Sequence, residues 1–277
     1  MNSEYIISSL QNAKVKRLVA LQQKSAERRK QGLFVVEGVR ELCHCVHAGY
    51  EIASLFCCPD ILNNNPEAQE LNTIIGQSPV YEVTRTVYEK IAYRGSTEGI
   101  LAEIKVKKQT LSDLGLSENP LIVVLESVEK PGNLGAVLRS ADASKADAVI
   151  VCDPLTDLFN PNLIRSSIGA IFTVPTVACS SEECIAFLKA HNIKILTAQL
   201  QDSMLYYDTD MRSGTAIVMG TESTGLTNVW RSAADAHIRI PMLGQLDSLN
   251  VSVSAAILMF EAVRQRSTAL HLSMKTR

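Results

Sequence analysis

Three short polar stretches in the second half of the chain carry side chains that could do chemistry together. The first, Pro131 to Arg139, holds Asn133 at a helix start and Arg139 nearly two turns further on. Arginine suits a phosphate because its planar fork offers several donors in fixed directions. An i, i+3 pairing of Arg139 with Asp142 would be its plain structural use. The second, Gly220-Thr221-Glu222-Ser223-Thr224-Gly225, sets a carboxylate between two glycines, with helix capping by Thr221, Ser223 or Thr227 as the alternative role. The third runs from Ile240-Pro241-Met242-Leu243-Gly244 to Ser248-Leu249-Asn250. It leads into a long apolar helix with Val253, Ile257, Phe260 and Val263 at helical spacing, which Ser248 or Asn250 could cap.

The elements around these stretches repeat strand and helix from Pro120 onwards. LIVVLES (121–127) is a continuous apolar run, as a strand buried on both faces of a parallel sheet requires. Strands DAVIVCD, PTVAC, KILTAQL, TAIVMG and HIRIP alternate with helices AVLRSADASKA, NPNLIRSSIGAIF, SEECIAFLKAHN and TNVWRSAAD. Such βα repeats predict an α/β fold with a mostly parallel sheet, whose ligands gather beyond the carboxyl ends of the strands. All three polar stretches fall at strand ends, so their convergence on one crevice is the central expectation. No two glycines are separated by a single residue, and there is no GxxxxGK[ST] or GxSxG, so the common nucleotide and hydrolase fingerprints are excluded.

The first half reads as a smaller α/β sandwich without a catalytic constellation. Lys14 to Lys30 reads as one basic helix, in which Lys14, Arg17, Arg28 and Arg29 could contact phosphates or simply face solvent. The Arg94-to-Gly99 turn is polar and could touch a ligand. Cys43 and His47 share a helix face, but no second CxxC or HxxxH completes a tetrahedral set, so no metal site is expected. The expected division is 1–107, a polar linker 108–119, and 120–277.

Bulk properties narrow the class. A chain of 277 residues with 46% hydrophobic and 20% charged residues is ordinary for a globular protein of two domains, and a net charge of -2 gives no global sign of nucleic-acid binding. Seven scattered cysteines do not form a disulfide framework. With neither a membrane-length apolar run nor a signal-peptide pattern, the expected compartment is the cytoplasm and no membrane partner is expected.

Taken in order and at their spacing, PGNLGAVLRSADA, IVMGTESTGL and IPMLGQLDSLNVSVSAAILMFE resemble the three motifs of the SpoU (TrmH-type) RNA ribose 2′-O-methyltransferases, within the SPOUT class. The first domain is similar to the L7Ae/L30e-like substrate-binding domain that often precedes this catalytic domain. The resemblance implies a deep trefoil knot in the catalytic domain, a homodimer, and S-adenosylmethionine as cofactor. By matching position, Gly220, Ile240 and Leu249 would contact that cofactor, with Thr197 and Met242 as further candidates. Arg139, Asn133, Glu222, Ser248 and Asn250 would form the catalytic group. Similar enzymes have been proposed to use this arginine as a base; a guanidinium stays protonated in proteins, so orienting a phosphate is an equally good role. The RNA would be ribosomal, 23S in particular, with transfer RNA as the alternative. A non-catalytic RNA-binding relative is the competing class, and a nicotinamide oxidoreductase is disfavoured by the missing glycine fingerprint.

Overall fold

The computed structural model describes residues 6–93, 98–221 and 223–275. Residues 94–97 of the Arg94-to-Gly99 turn therefore lie outside the described residues. The chain forms two compact units, one of residues 1–108 with 157–173 and one of residues 109–156 with 174–277. Among the described residues no helix is long and apolar enough to cross a membrane.

The first unit is built on a five-stranded sheet of β1 (Ile6–Ile7), β2 (Leu33–Glu37), β3 (Ile52–Cys57), β4 (Val80–Val83) and β5 (Ile100–Lys105), in the order β1-β4-β3-β5-β2. β1, β4 and β3 run parallel, and β5 is antiparallel to both β3 and β2. One face is covered by the Ala13–Gln23 helix, whose Val15, Leu18 and Leu21 pack with Val35, Phe56, Leu101 and Tyr88. The expected single basic helix is in fact two, Ala13–Gln23 and Ser25–Gln31, because Lys24 between them is extended (φ -122, ψ 113). The break is held by Arg28, whose Nη1 donates to Leu21 O at 2.6 Å and Gln22 O at 3.1 Å, satisfying carbonyls that the helix end leaves open. Cys43 and Cys45 are buried thiols, and burial pushes Cys43 up to about 11.

The segment 157–173 lies within the span read from sequence as the second domain, yet it packs on the first unit. Phe159 stacks on Phe34 at 4.4 Å, Phe172 meets Tyr50 edge-on at 5.4 Å, and Asp157 pairs with Arg28 at 2.6 Å. The helix expected over NPNLIRSSIGAIF breaks into Pro161–Ser166 and Ala170–Thr173, since Ile168 and Gly169 take left-handed conformations (φ 54 and 79).

The second unit has a seven-stranded sheet, all parallel. Its strands are β6 (Leu121–Glu126), β7 (Ala148–Cys152), β8 (Thr176–Cys179), β9 (Lys194–Ala198), β10 (Met204–Leu205), β11 (Thr215–Met219) and β12 (Ala236–Arg239), ordered β10-β12-β9-β11-β6-β7-β8. Side chains alternate between faces. Ile122, Val124, Ile150, Ala216 and Val218 pack with Leu188 and Trp230, while the Pro131–Ala143 and Val251–Lys275 helices pack on each other, the latter also against β6 and β11. The expected linker is not a loose tether: Leu111, Leu114 and Leu116 pack against this unit's core, and Thr110 with Asp113 forms a capping box.

Candidate functional site at the strand ends

The carboxyl ends of β9, β11 and β12, three neighbouring strands, open onto a cleft of about 410 Å³. Its walls come from Ala198 and Gln199 after β9, Met219 and Gly220 after β11, and Ile240 and Met242 after β12. Ser248 and Leu249 close it from the third polar stretch. This is the crevice position at which open parallel sheets hold their ligands.

The Gly220 turn is tight for a physical reason. A Cβ on Gly220 would stand 2.3 Å from Gly225 C and 2.5 Å from Leu226 N, both backbone atoms that cannot swing away. Gly225 N donates to Thr221 O at 3.1 Å and Thr224 N to Thr221 Oγ1 at 3.0 Å, so the loop folds back on itself. Behind it the buried Glu126 accepts from Thr227 N at 2.9 Å and from Thr227 Oγ1 at 2.6 Å, anchoring the loop's far end to β6. Glu222 lies outside the described residues.

The third stretch joins the first directly. Asn250 caps the last helix, its Oδ1 accepting from Ser252 N at 3.0 Å, while its Nδ2 donates to Asn133 Oδ1 at 3.2 Å. Asn250 therefore caps and bridges at once. Asn133 and Val251, with Lys130, Gly220 and Thr221, line a second hollow of about 130 Å³ beside the cleft. Ser248 is exposed at the cleft wall, its hydroxyl donating to Asp247 Oδ1 at 3.3 Å. Arg139 sits six residues past Asn133 on the same helix, about 9 Å along its axis. It is exposed, lines neither hollow, and has no hydrogen bond or ion pair among the described residues.

Two expected contacts, those of Thr197 and Arg28, are contradicted by burial, while Arg17 is exposed but already paired. Thr197 does not line the cleft: it is fully buried, its Oγ1 2.6 Å from His237 Nδ1, and it is the following Ala198 and Gln199 that reach the opening. Arg28 is 4% exposed and engaged by Asp157 and two carbonyls, so it cannot reach a phosphate. Arg17 pairs with the buried Glu103, Nε donating to Oε1 at 3.0 Å, and that carboxylate raises its guanidinium above the ordinary value. Lys14 is exposed, its Nζ 4.3 Å from the centre of the Tyr81 ring, and Arg29 is exposed.

Two cleft residues escaped the sequence reading. Among the described residues, Arg231 Nε and Gln199 Oε1 are buried without a hydrogen-bond partner, one donor and one acceptor in the same cleft. Buried polar atoms are rarely left so, because the lost hydration costs about 1–3 kcal/mol. Nothing in the local pattern TNVWRSAAD or KILTAQLQ distinguishes them from surface residues.

Known proteins share this architecture. Residues 120–260 match the SpoU rRNA Methylase family and residues 12–102 the MRM3-like substrate binding domain. A 23S rRNA (guanosine-2′-O-)-methyltransferase of Vibrio parahaemolyticus is 34% identical over 69% of this chain and 79% of its own. A crystal structure described as an RNA 2′-O ribose methyltransferase superposes with a TM-score of 0.82 at 39% identity, covering 95% of this chain and 99% of that one. The AdoMet-bound rRNA methyltransferase from Sinorhizobium meliloti gives 0.83 at 28% identity, covering 94% and 97%. The first match runs from just before strand β6 into the last helix and takes in all three polar stretches; the chain belongs to the SpoU rRNA methylase family.

Proposed function

We propose that this chain methylates a ribose 2′-hydroxyl of structured RNA, with S-adenosylmethionine as methyl donor and 23S ribosomal RNA as substrate. The observation that carries the reading is one juxtaposition. A cleft with two polar atoms unsatisfied among the described residues adjoins the Asn133–Asn250 bond, and an arginine with no partner among them follows on the same helix. The cleft fits the cofactor. Its volume falls within the ordinary range of small-molecule sites, about 300–1,000 Å³. Arg231 offers a donor to an anionic group, Gln199 an acceptor, and Ile240, Met242 and Leu249 an apolar wall.

When bound, the cofactor supplies an electrophilic methyl group on a sulfonium. The rest is positioning, which can contribute about 7 kcal/mol or more to a bimolecular transfer. The close backbone packing at Gly220 gives a rigid floor. Asn250, held by both its helix and Asn133, presents fixed polar groups towards a ribose, and Ser248 and Glu222 complete the catalytic group. Arg139 orients a target phosphate and stabilises the alkoxide that develops as the 2′-hydroxyl loses its proton. That proton passes to the phosphate or to water, because a guanidinium stays protonated.

In this reading the chain after β12 threads through a loop as a trefoil knot. The insertion of β11 between β9 and β6, with the last helix packed back on the Pro131–Ala143 helix, supports that path. A second copy covers the last helix, where Val253 and Phe260 are 47% and 48% exposed, to give a homodimer. The first unit grips RNA through exposed Lys14, Lys16, Arg29 and Lys30, and the reaction takes place in the cytoplasm.

The test is a map of ribose methylation across total RNA from cells with and without the protein. Loss of a single 23S site on deletion, restored by the wild-type chain and not by Arg139→Ala, is the expected result. Loss at a transfer RNA instead would overturn the substrate assignment, and an unchanged map would overturn the activity.

A further inference from the structure

At the opposite edge of the same sheet, three cysteines meet. Cys152 ends β7 and Cys179 ends β8, and the two are register partners on neighbouring parallel strands. The chain then turns at Ser180, which caps the Ser181–Ala190 helix, and Cys184 comes round one turn later. The three sulfurs all lie within 4.8 Å of one another, and none is in a disulfide. They are 27 and 5 positions apart in sequence, so no metal-binding spacing announces them. Only strand register and the cap bring them together.

The neighbours are tied down without using the sulfurs. Ser181 Oγ donates to Asp153 Oδ2 at 2.6 Å and accepts from Trp230 Nε1 at 2.9 Å. Glu183 is occupied in the capping box, where its Oε2 accepts from Ser180 N at 2.9 Å. Both nearby carboxylates are thus engaged, and the donor set is sulfur alone. Fixed surroundings of this kind hold ligands in place at metal sites. Cys152 and Cys184 are buried, whereas Cys179 also lines a cavity of about 600 Å³ with Leu111, Leu114 and Phe187, which gives an ion a way in.

We propose that Cys152, Cys179 and Cys184 form a three-sulfur site for a soft d¹⁰ ion of low coordination number, Cu(I). Thiolates favour Cu(I), which is content with three sulfurs, whereas structural zinc sites close with four protein ligands. Each thiol that ligates the ion releases its proton to solvent through the cavity, with no change in oxidation state. The site is separate from the cleft, since β6 stands between β7 and the cleft-forming β11, β9 and β12, and no cysteine of the three lines that cleft.

The test is anaerobic titration of the reduced full-length protein with Cu(I) against a competing chelator, following sulfur-to-copper charge-transfer absorption. One ion per chain is expected, with affinity lowered at least tenfold in Cys179→Ala and in Cys152→Ala, and unchanged in Cys45→Ala of the other unit. Far-UV circular dichroism and S-adenosylmethionine binding confirm that each variant is folded. Equal binding by wild type and Cys179→Ala would overturn the proposal. So would retention of zinc in preference to Cu(I), or copper-free reduced protein whose only reaction is a disulfide formed in air.

Discussion

Arg28 and Arg139 look alike in sequence, each an arginine on a helix with polar neighbours, and the fold uses them in opposite ways. Arg28 is drawn inward. It pairs with Asp157 and closes the carbonyls of Leu21 and Gln22, so its charge is consumed in holding the first unit together. Arg139 stays exposed and unpaired among the described residues, on the helix whose start lines the hollow beside the cleft. The difference teaches that basic character marks a nucleic-acid surface only where the charge is still free. In the basic stretch the helix break at Lys24 draws Arg28 inward and the buried carboxylate of Glu103 ties down the exposed Arg17, leaving Lys14, Lys16, Arg29 and Lys30 as the rest of the exposed basic face.

That contrast can be broken most sharply at Arg139. Arg139→Ala is expected to lower methyl transfer by at least about a hundredfold, the usual scale for removing a charge-stabilising group, with cofactor affinity nearly unchanged by calorimetry. Equal losses of transfer and cofactor binding would place Arg139 in the cofactor's support instead. Arg28→Ala should do the reverse. It leaves Asp157 without its partner in a mostly buried site and should cost about 3 kcal/mol in chemical denaturation, without changing the salt dependence of RNA binding.

Gly220→Ala tests the cleft floor: its Cβ must displace the backbone at Gly225 and Leu226, so cofactor affinity should fall tenfold or more with the first unit's stability untouched. Wild-type affinity in that variant would show that the loop relaxes and does not set the cleft. Charge reversal at Lys16, Arg29 and Lys30 together should weaken RNA binding more at low salt than at high salt, since phosphate contacts act by counterion release. An unchanged salt slope would leave those residues as a solvated face.

The smallest effect is a pH dependence at the last helix. Arg264 and Gln265 donate to Glu261, and the Arg264 guanidinium leads in holding this carboxyl below its ordinary value. A depressed carboxyl stabilises the fold at neutral pH and loses that contribution as pH falls through its folded value. Thermal melts from pH 7 to pH 3 should therefore show a steeper acid loss for wild type than for Glu261→Gln. Parallel curves would mean that the pair adds nothing.

Most strands were legible because period and apolarity are local properties. LIVVLES, DAVIVCD and TAIVMG had to be buried on both faces, and they became β6, β7 and β11. The two-residue strands at Ile6 and Met204 were not legible, since such short edge strands are defined by pairing alone. Of the site, Gly220, Ile240, Met242, Ser248 and Leu249 came from ordered motifs and do line one cleft, while Thr197 still lies inside β9, buried against His237, and the cleft begins at the strand's last residue, Ala198.

By itself, then, the amino-acid order determined the α/β class, the three motif stretches and the family they point to, since these depend on residue type and spacing along the chain. Tertiary structure alone decided which charges are free, where residues 157–173 pack, that Asn250 bonds Asn133, and that three distant cysteines share one corner. Those are matters of distance between residues far apart in the chain. Burial and register set such distances, and neither is written in any one segment.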